Sequence, residues 1–136
     1  MADPIKIDGL NQFRANLKAL DRDLPKALRI AFNQAADIVV NDARPGVPSR
    51  SGKARASVKA RSTQTYSRIV GGGNKAPYYP WLDFGGKVGP NKSVRRPFLK
   101  DGRYIYDAYY RNRPRFAEVL QESLVDVARQ AGVEVD

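Results

Sequence analysis

Apolar residues recur at helical spacing through the first 43 residues of the chain, and beyond them the period changes. Leu10, Phe13, Leu17 and Leu20 predict a first helix with Asp8 as its N-cap. Asp21-Arg-Asp-Leu-Pro25 interrupts that pattern, and Asp23 with Pro25 suits a second helix start. Leu24, Leu28, Ala31, Phe32, Ala35, Ile38 and Val39 then form one stripe to about Ala43, with Arg22, Lys26, Arg29 and Asn33 off it. Its alanines leave room for a second layer to approach closely, and Pro45 and Pro48 end it.

From Ala54 the period is two. Ala54, Ala56, Val58 and Ala60 alternate with Arg55, Ser57, Lys59 and Arg61, which predicts a half-buried strand with a basic outer face. Tyr66 to Val70 reads as its antiparallel partner, and Gly71-Gly-Gly-Asn74 as a flexible end. Tyr78 to Phe84 reads as a third strand, kept to an edge by Pro77 and Pro80. Gly85 to Arg96, rich in Gly, Pro and Lys, predicts an exposed loop, from which Pro97-Phe-Leu99 returns the chain to the core. A short helical piece spans Tyr104 to Tyr110, and Asn112 caps a last helix with Pro114 in its first turn. Phe116, Val119, Leu120, Leu124, Val127 and Ala131 form its stripe, and Gly132 ends it.

The element order predicts one α+β domain over residues 1–136. A small antiparallel sheet of three or four strands, within about 54–84, is packed by N-terminal helices (about 8–43) and C-terminal helices (about 101–131), with a long exposed arm at about 85–96.

Charge sharpens this picture. Arg44 to Arg115 holds 17 of the 24 basic residues and three acids, a local net charge of +14, while the remainder, with seven basic and 11 acidic residues, carries −4. A split of that size points to a polyanion-facing or partner-facing middle. Arg55, Lys59 and Arg61, with Arg68 beside them, are the first candidates for DNA contact, joined by Arg50 and Lys53 from the preceding loop. No apolar run approaches the roughly 20 residues needed to cross a bilayer, and the N-terminus lacks the pattern of a secretory signal. The absence of cysteine fits a reducing cytosol.

With histidine absent as well, thiol catalysis, Ser-His chemistry and imidazole metal sites are excluded. Gly71-Gly-Gly-Asn-Lys75 fails the spacing of a phosphate-binding loop and runs into a proline. Asp83, the only acid between Arg44 and Lys100, has no second carboxylate or nucleophile placed with it and is expected to pair with an arginine. Asp101 and Asp107 read as helix-start acids. No enzyme and no cofactor are expected. Tyr104, Tyr106, Tyr109 and Tyr110, set among Arg103, Arg111 and Arg113, are expected to pack against the sheet or a neighbour rather than stack on bases.

Three motifs in order carry a resemblance. They are Pro48-Ser-Arg-Ser-Gly-Lys-Ala-Arg-Ala-Ser57, Tyr78-Tyr-Pro-Trp-Leu-Asp-Phe-Gly85 and Arg96-Pro-Phe-Leu99. Together with the helices at both ends, they resemble the neck and minor tail-component family of long-tailed double-stranded-DNA bacteriophages, often called tail-completion proteins. Ser51, Gly52, Arg55 and Ser57 match its first motif; Tyr79, Asp83, Phe84 and Gly85 its second; Pro97, Phe98 and Leu99 its third. Ala54 stands in place of the usual leucine, Asp83 of glutamate and Gly86 of threonine, and Tyr104 to Arg115 reads as an insertion.

The resemblance implies a non-enzymatic virion protein of the neck or upper tail, assembled in the host cytoplasm. It implies a ring, most simply a hexamer, that joins head to tail and contacts the tail terminator, tail tube and head-closure protein. Tyr78, Tyr79, Trp81, Lys87, Lys92, Arg95 and Arg96 become candidates for neighbour contacts, and the basic strand face for a lumen that touches duplex DNA without reading it. A tail terminator, a head-closure (stopper) protein and a free basic nucleic-acid-binding protein are the alternatives. Replacing Arg55, Lys59 and Arg61 by glutamate is expected to spare the fold.

Overall fold

The computed structural model describes residues 7–48, 51–88, 90–92 and 94–132. Two long helices make its frame. α2 (Lys26–Ala43) packs along α5 (Ile105–Gln130), and both bury the apolar stripe that their sequences predict. Leu28, Ala31, Phe32, Ala35 and Val39 of α2 meet Ala108, Phe116, Leu120 and Val127 of α5 in one core. Polar cross-links hold the same pair of helices. Asn112 and Arg111 donate to Asp42 Oδ2 at 2.7 and 3.1 Å, and Ser123 Oγ lies 3.0 Å from Gln34 Oε1.

α1 (Leu10–Leu20) lays Leu17 into this core, with Leu10 and Phe13 partly buried against it. Its N-cap is Gly9, at φ 74°, and not Asp8, because the chain enters the helix through a left-handed turn. Asp21 Oδ1 accepts the Asp23 N–H at 2.9 Å in the turn that leads to α2.

The middle of the chain departs from the alternating pattern. Lys53–Ser57 is a short helix, α3, entered through Gly52 at φ 80°; only Lys59–Ala60 is strand, β1, paired with β2 (Ile69–Val70). Ala54 and Val58, four apart, are buried while Ala56 between them is exposed, so burial follows a helical turn and not the alternation, and the left-handed Gly52 opens that turn. Tyr79–Phe84 is likewise a helix, α4, with Pro80 in its first turn, where a missing N–H costs nothing. The class is α+β, but its strands form two separate two-stranded antiparallel sheets, β1–β2 and β3–β4.

β3 (Gly86–Val88) and β4 (Val94–Arg96) turn the expected loop into a hairpin, with Asn91 and Lys92 in left-handed conformation at its tip. The last helix is continuous from Ile105. Pro114 lies inside it, and Asn112 joins α2 to α5 instead of capping a new helix. Tertiary packing of the stripe on α2 outweighs the single hydrogen bond that Pro114 removes. Gly132, at φ 79°, follows the helix end.

Candidate interaction surface

The β1–β2 hairpin is fastened to α2 through polar side chains. Ser67 Oγ donates to Phe32 O at 2.7 Å, the Ser62 N–H donates to Asn33 Oδ1 at 3.0 Å, and the Arg68 N–H donates to Ser62 Oγ at 3.1 Å. Lys59 stands opposite Val70 and Ala60 opposite Ile69; an Arg61 N–H to Arg68 O bond of 2.8 Å carries the register one pair further. Residues opposite one another share a face, and residues two apart along a strand do too. Ala60 and Ile69 therefore turn to the core, while Lys59, Arg61 and Arg68 emerge together on the exposed face. None of these three has an acidic partner among the described residues.

Arg55 is not among them. Its guanidinium reaches Val47 O at 3.1 Å through Nη2 and 3.2 Å through Nε, and Pro45 O at 3.4 Å, which closes the loop between α2 and α3. Arg44 Nε donates to Val58 O at 2.7 Å from the other side. The expected row of Arg55, Lys59 and Arg61 is thus divided, and its first member is a staple of the backbone. Lys53 is exposed in the first turn of α3, and Arg50 lies outside the described residues.

The second hairpin projects from the end of α4. Gly85, at φ 84°, makes its base, and an added Cβ there would run into the Pro97 carbonyl. The Leu99 N–H donates to Phe84 O at 2.8 Å, Trp81 Nε1 to Gly86 O at 3.1 Å, and Arg96 Nη2 to Tyr104 Oη at 2.9 Å. The Arg96 guanidinium also lies 5.8 Å from the Trp81 ring centre. Past this base Lys87 stands directly opposite Arg95, both exposed, and Lys92 is exposed at the tip. Pro97-Phe-Leu99 does not return its side chains to the core: Phe98 is 69% and Leu99 44% exposed. The backbone alone is anchored, through Leu99 N–H and through the Pro97 carbonyl that Arg103 holds.

Asp83 is 1% exposed. Its carboxylate accepts from Tyr79 Oη at 2.8 Å and from the Arg103 and Tyr104 N–H groups at 2.6 and 3.1 Å. The arginine pairing expected for it takes another form, since the Arg103 guanidinium donates to the Asp83 carbonyl at 2.9 Å. This is a structural joint between α4 and the start of α5. Burial, and then the hydrogen bond to the Asp83 carboxylate, push the Tyr79 hydroxyl pKa well above its ordinary value. Tyr79 is 2% exposed, so it cannot serve a neighbour contact as Tyr78, on the surface, can.

Above the joint lies an open, mainly apolar cleft of about 1170 Å³, whose walls include Leu10, Phe32, Ile69, Tyr79, Phe84 and Tyr106. Asp8 and Asp83 are the carboxylates among its described walls, and that of Asp83 is already taken up by the Tyr79 hydroxyl and the Arg103 and Tyr104 N–H groups. No group of three or more side chains able to hold a metal occurs among the described residues. Tyr106 packs edge-on to Phe84 at 6.2 Å and Tyr109 to Phe116 at 5.7 Å.

One family model, described as "Bacteriophage HK97-gp10, putative tail-component", matches residues 11–85, more than half of the chain. The chain belongs to the HK97-gp10-like family. It is therefore a tail component of a bacteriophage by family, and its work is with other proteins of the phage tail. Comparison with curated proteins and with solved structures gave no match. The matched span takes in α1 to α4 and ends on Gly85, so the basic hairpin and α5 lie beyond it. No helix among the described residues of this HK97-gp10-like chain is long and apolar enough to cross a membrane.

Arg44, Arg103 and Tyr104 are the structural residues that sequence reading missed. Each acts on a backbone group or a residue at least eight positions away in sequence, and no local pattern signals that.

Proposed function

We propose that this HK97-gp10-like protein is a non-enzymatic ring subunit at the upper end of the phage tail, where it joins tail to head in the virion. The observation that carries this reading is the pair of hairpins, each with two exposed cations directly opposite one another and no acidic partner for them among the described residues. Like charges opposed across a ribbon destabilise it, so such pairs fit surfaces that meet anionic partners. The β1–β2 face, with Lys59, Arg61 and Arg68, suits the phosphates of duplex DNA in a channel, through contacts that weaken steeply with salt. The β3–β4 hairpin, with Tyr78 and Trp81 at its foot, suits contacts to neighbouring subunits. Six copies would match a six-fold tail tube through head-to-tail contacts. Tail termination and head closure are the other positions in the neck open to the same geometry.

Electron microscopy of lysates from the parent phage with this gene disrupted, beside a complemented control, tests the reading. Filled heads with detached tails are the expected result. Intact, infectious virions would overturn it.

A further inference from the structure

We propose that the β3–β4 hairpin of one subunit docks on the outer face of α5 of a second copy, with Lys87, Arg95 and Lys92 facing Glu118, Glu122 and Asp126. The inference rests on the ring reading above and names the two surfaces that would meet.

The hairpin has the features of a docking element and none of a self-contained one. Lys87 and Arg95 are register partners, both exposed and both without an acidic partner among the described residues. Lys92 sits at φ 54°, just after Asn91 at φ 55°. A left-handed conformation suits asparagine but strains a lysine, and glycine would fit there without strain. The tip thus keeps a third cation at a conformational cost. Phe98, 69% exposed just past the hairpin, adds apolar surface for which a phosphate backbone offers no partner.

The receiving face is on the same chain. Glu118, Glu122 and Asp126 recur every four residues along α5 and are all exposed, so they form one line. At 1.5 Å per residue that line is about 12 Å long, close to the roughly 10 Å of ribbon between the Lys87–Arg95 pair and the tip. Half-buried Val125 lies one helical step from Glu122 and offers Phe98 an apolar surface. Within the subunit Glu118 and Asp126 have only exposed i,i+3 partners, Arg115 and Arg129, which are weak and readily exchanged. The two charged sets do not meet within one chain, since no ion pair joins them among the described residues. A contact between two different surfaces of identical subunits propagates head to tail, and closes into a ring when its rotation allows.

Sedimentation of the purified full chain tests this with Lys87→Glu/Arg95→Glu, Glu118→Lys/Glu122→Lys and the two combined. Each double reversal is expected to weaken self-association at least tenfold at low salt, and the combined variant to recover it. Thermal melts should show all three folded, the first no less stable than the parent chain. A parent ring that survives both reversals overturns the inference and leaves the ring reading intact. A parent chain that stays monomeric at every concentration overturns both. Reversals that weaken association but are not rescued in combination overturn the pairing. So does loss of duplex DNA binding in Lys87→Glu/Arg95→Glu with no change in mass, which would make the hairpin a nucleic-acid surface.

Discussion

The hydroxyl of Tyr79 donates to the carboxylate of Asp83 at 2.8 Å, one helical turn apart in α4, and both side chains are buried. The same carboxylate takes two backbone N–H groups from the segment that starts α5. Asp83→Ala would leave all three donors without their acceptor. The expected loss is about 3 kcal/mol, read as a lowered urea midpoint, whereas Tyr79→Phe should cost about 1 kcal/mol.

That tyrosine also gives a pH signature. Its pKa is raised in the folded state, so the folded chain holds the proton that the unfolded chain gives up. The resulting stability is fully present below the ordinary tyrosine pKa of 10.0 and is lost as pH rises above it. Urea melts from pH 8 to 11 should show a fall in stability at the alkaline end that is shallower in Tyr79→Phe.

Asp42 gives the opposite sign. Hydrogen bonds from Asn112, and then from Arg111, hold its pKa below the ordinary 3.8. Its contribution is present above that value and disappears as pH falls through the lower, folded one. The group is exposed, so the effect is small; acid melts should show Asp42→Asn flatter below pH 4 than the parent chain.

Gly102 sits at φ 74° where an added Cβ would collide with the Asp83 carboxylate, and Gly71 where one would collide with the Tyr79 ring. Alanine at Gly102 combines a disfavoured backbone with displacement of the buried acid. It should destabilise by more than 2 kcal/mol, and more than Gly73→Ala, where the same change meets open space.

Arg55 and Arg61 should part company. Arg55→Ala removes the donors that hold the Val47 and Pro45 carbonyls and should cost about 1 kcal/mol. Arg61→Glu instead places an acid opposite Arg68 and should leave stability unchanged or raise it by a few tenths of a kcal/mol. Differential scanning calorimetry separates the two. In the triple reversal of Arg55, Lys59 and Arg61 the stability loss should therefore come from Arg55.

The long elements were legible because their cause is local. The stripes of α1, α2 and the last helix and the breaks at Pro25 and Pro45 follow from periodicity and backbone chemistry within a dozen residues. Ala54 to Arg61 and Tyr78 to Phe84 were not, because short runs satisfy two periods at once. There, Gly52 at φ 80° and the burial of Tyr79 choose the helix.

The α+β class, the helical frame, the concentration of positive charge in the middle and the lack of thiol or imidazole chemistry all follow from the order of residues along the chain. Which of those charges face outward depends on how the chain folds back on itself. Arg44, Arg55 and Arg103 turn onto carbonyls, while Arg61 with Arg68 and Lys87 with Arg95 meet across ribbons. A guanidinium can donate to a nearby carbonyl or, more strongly, to a phosphate, and strand register and loop closure fix which one it can reach.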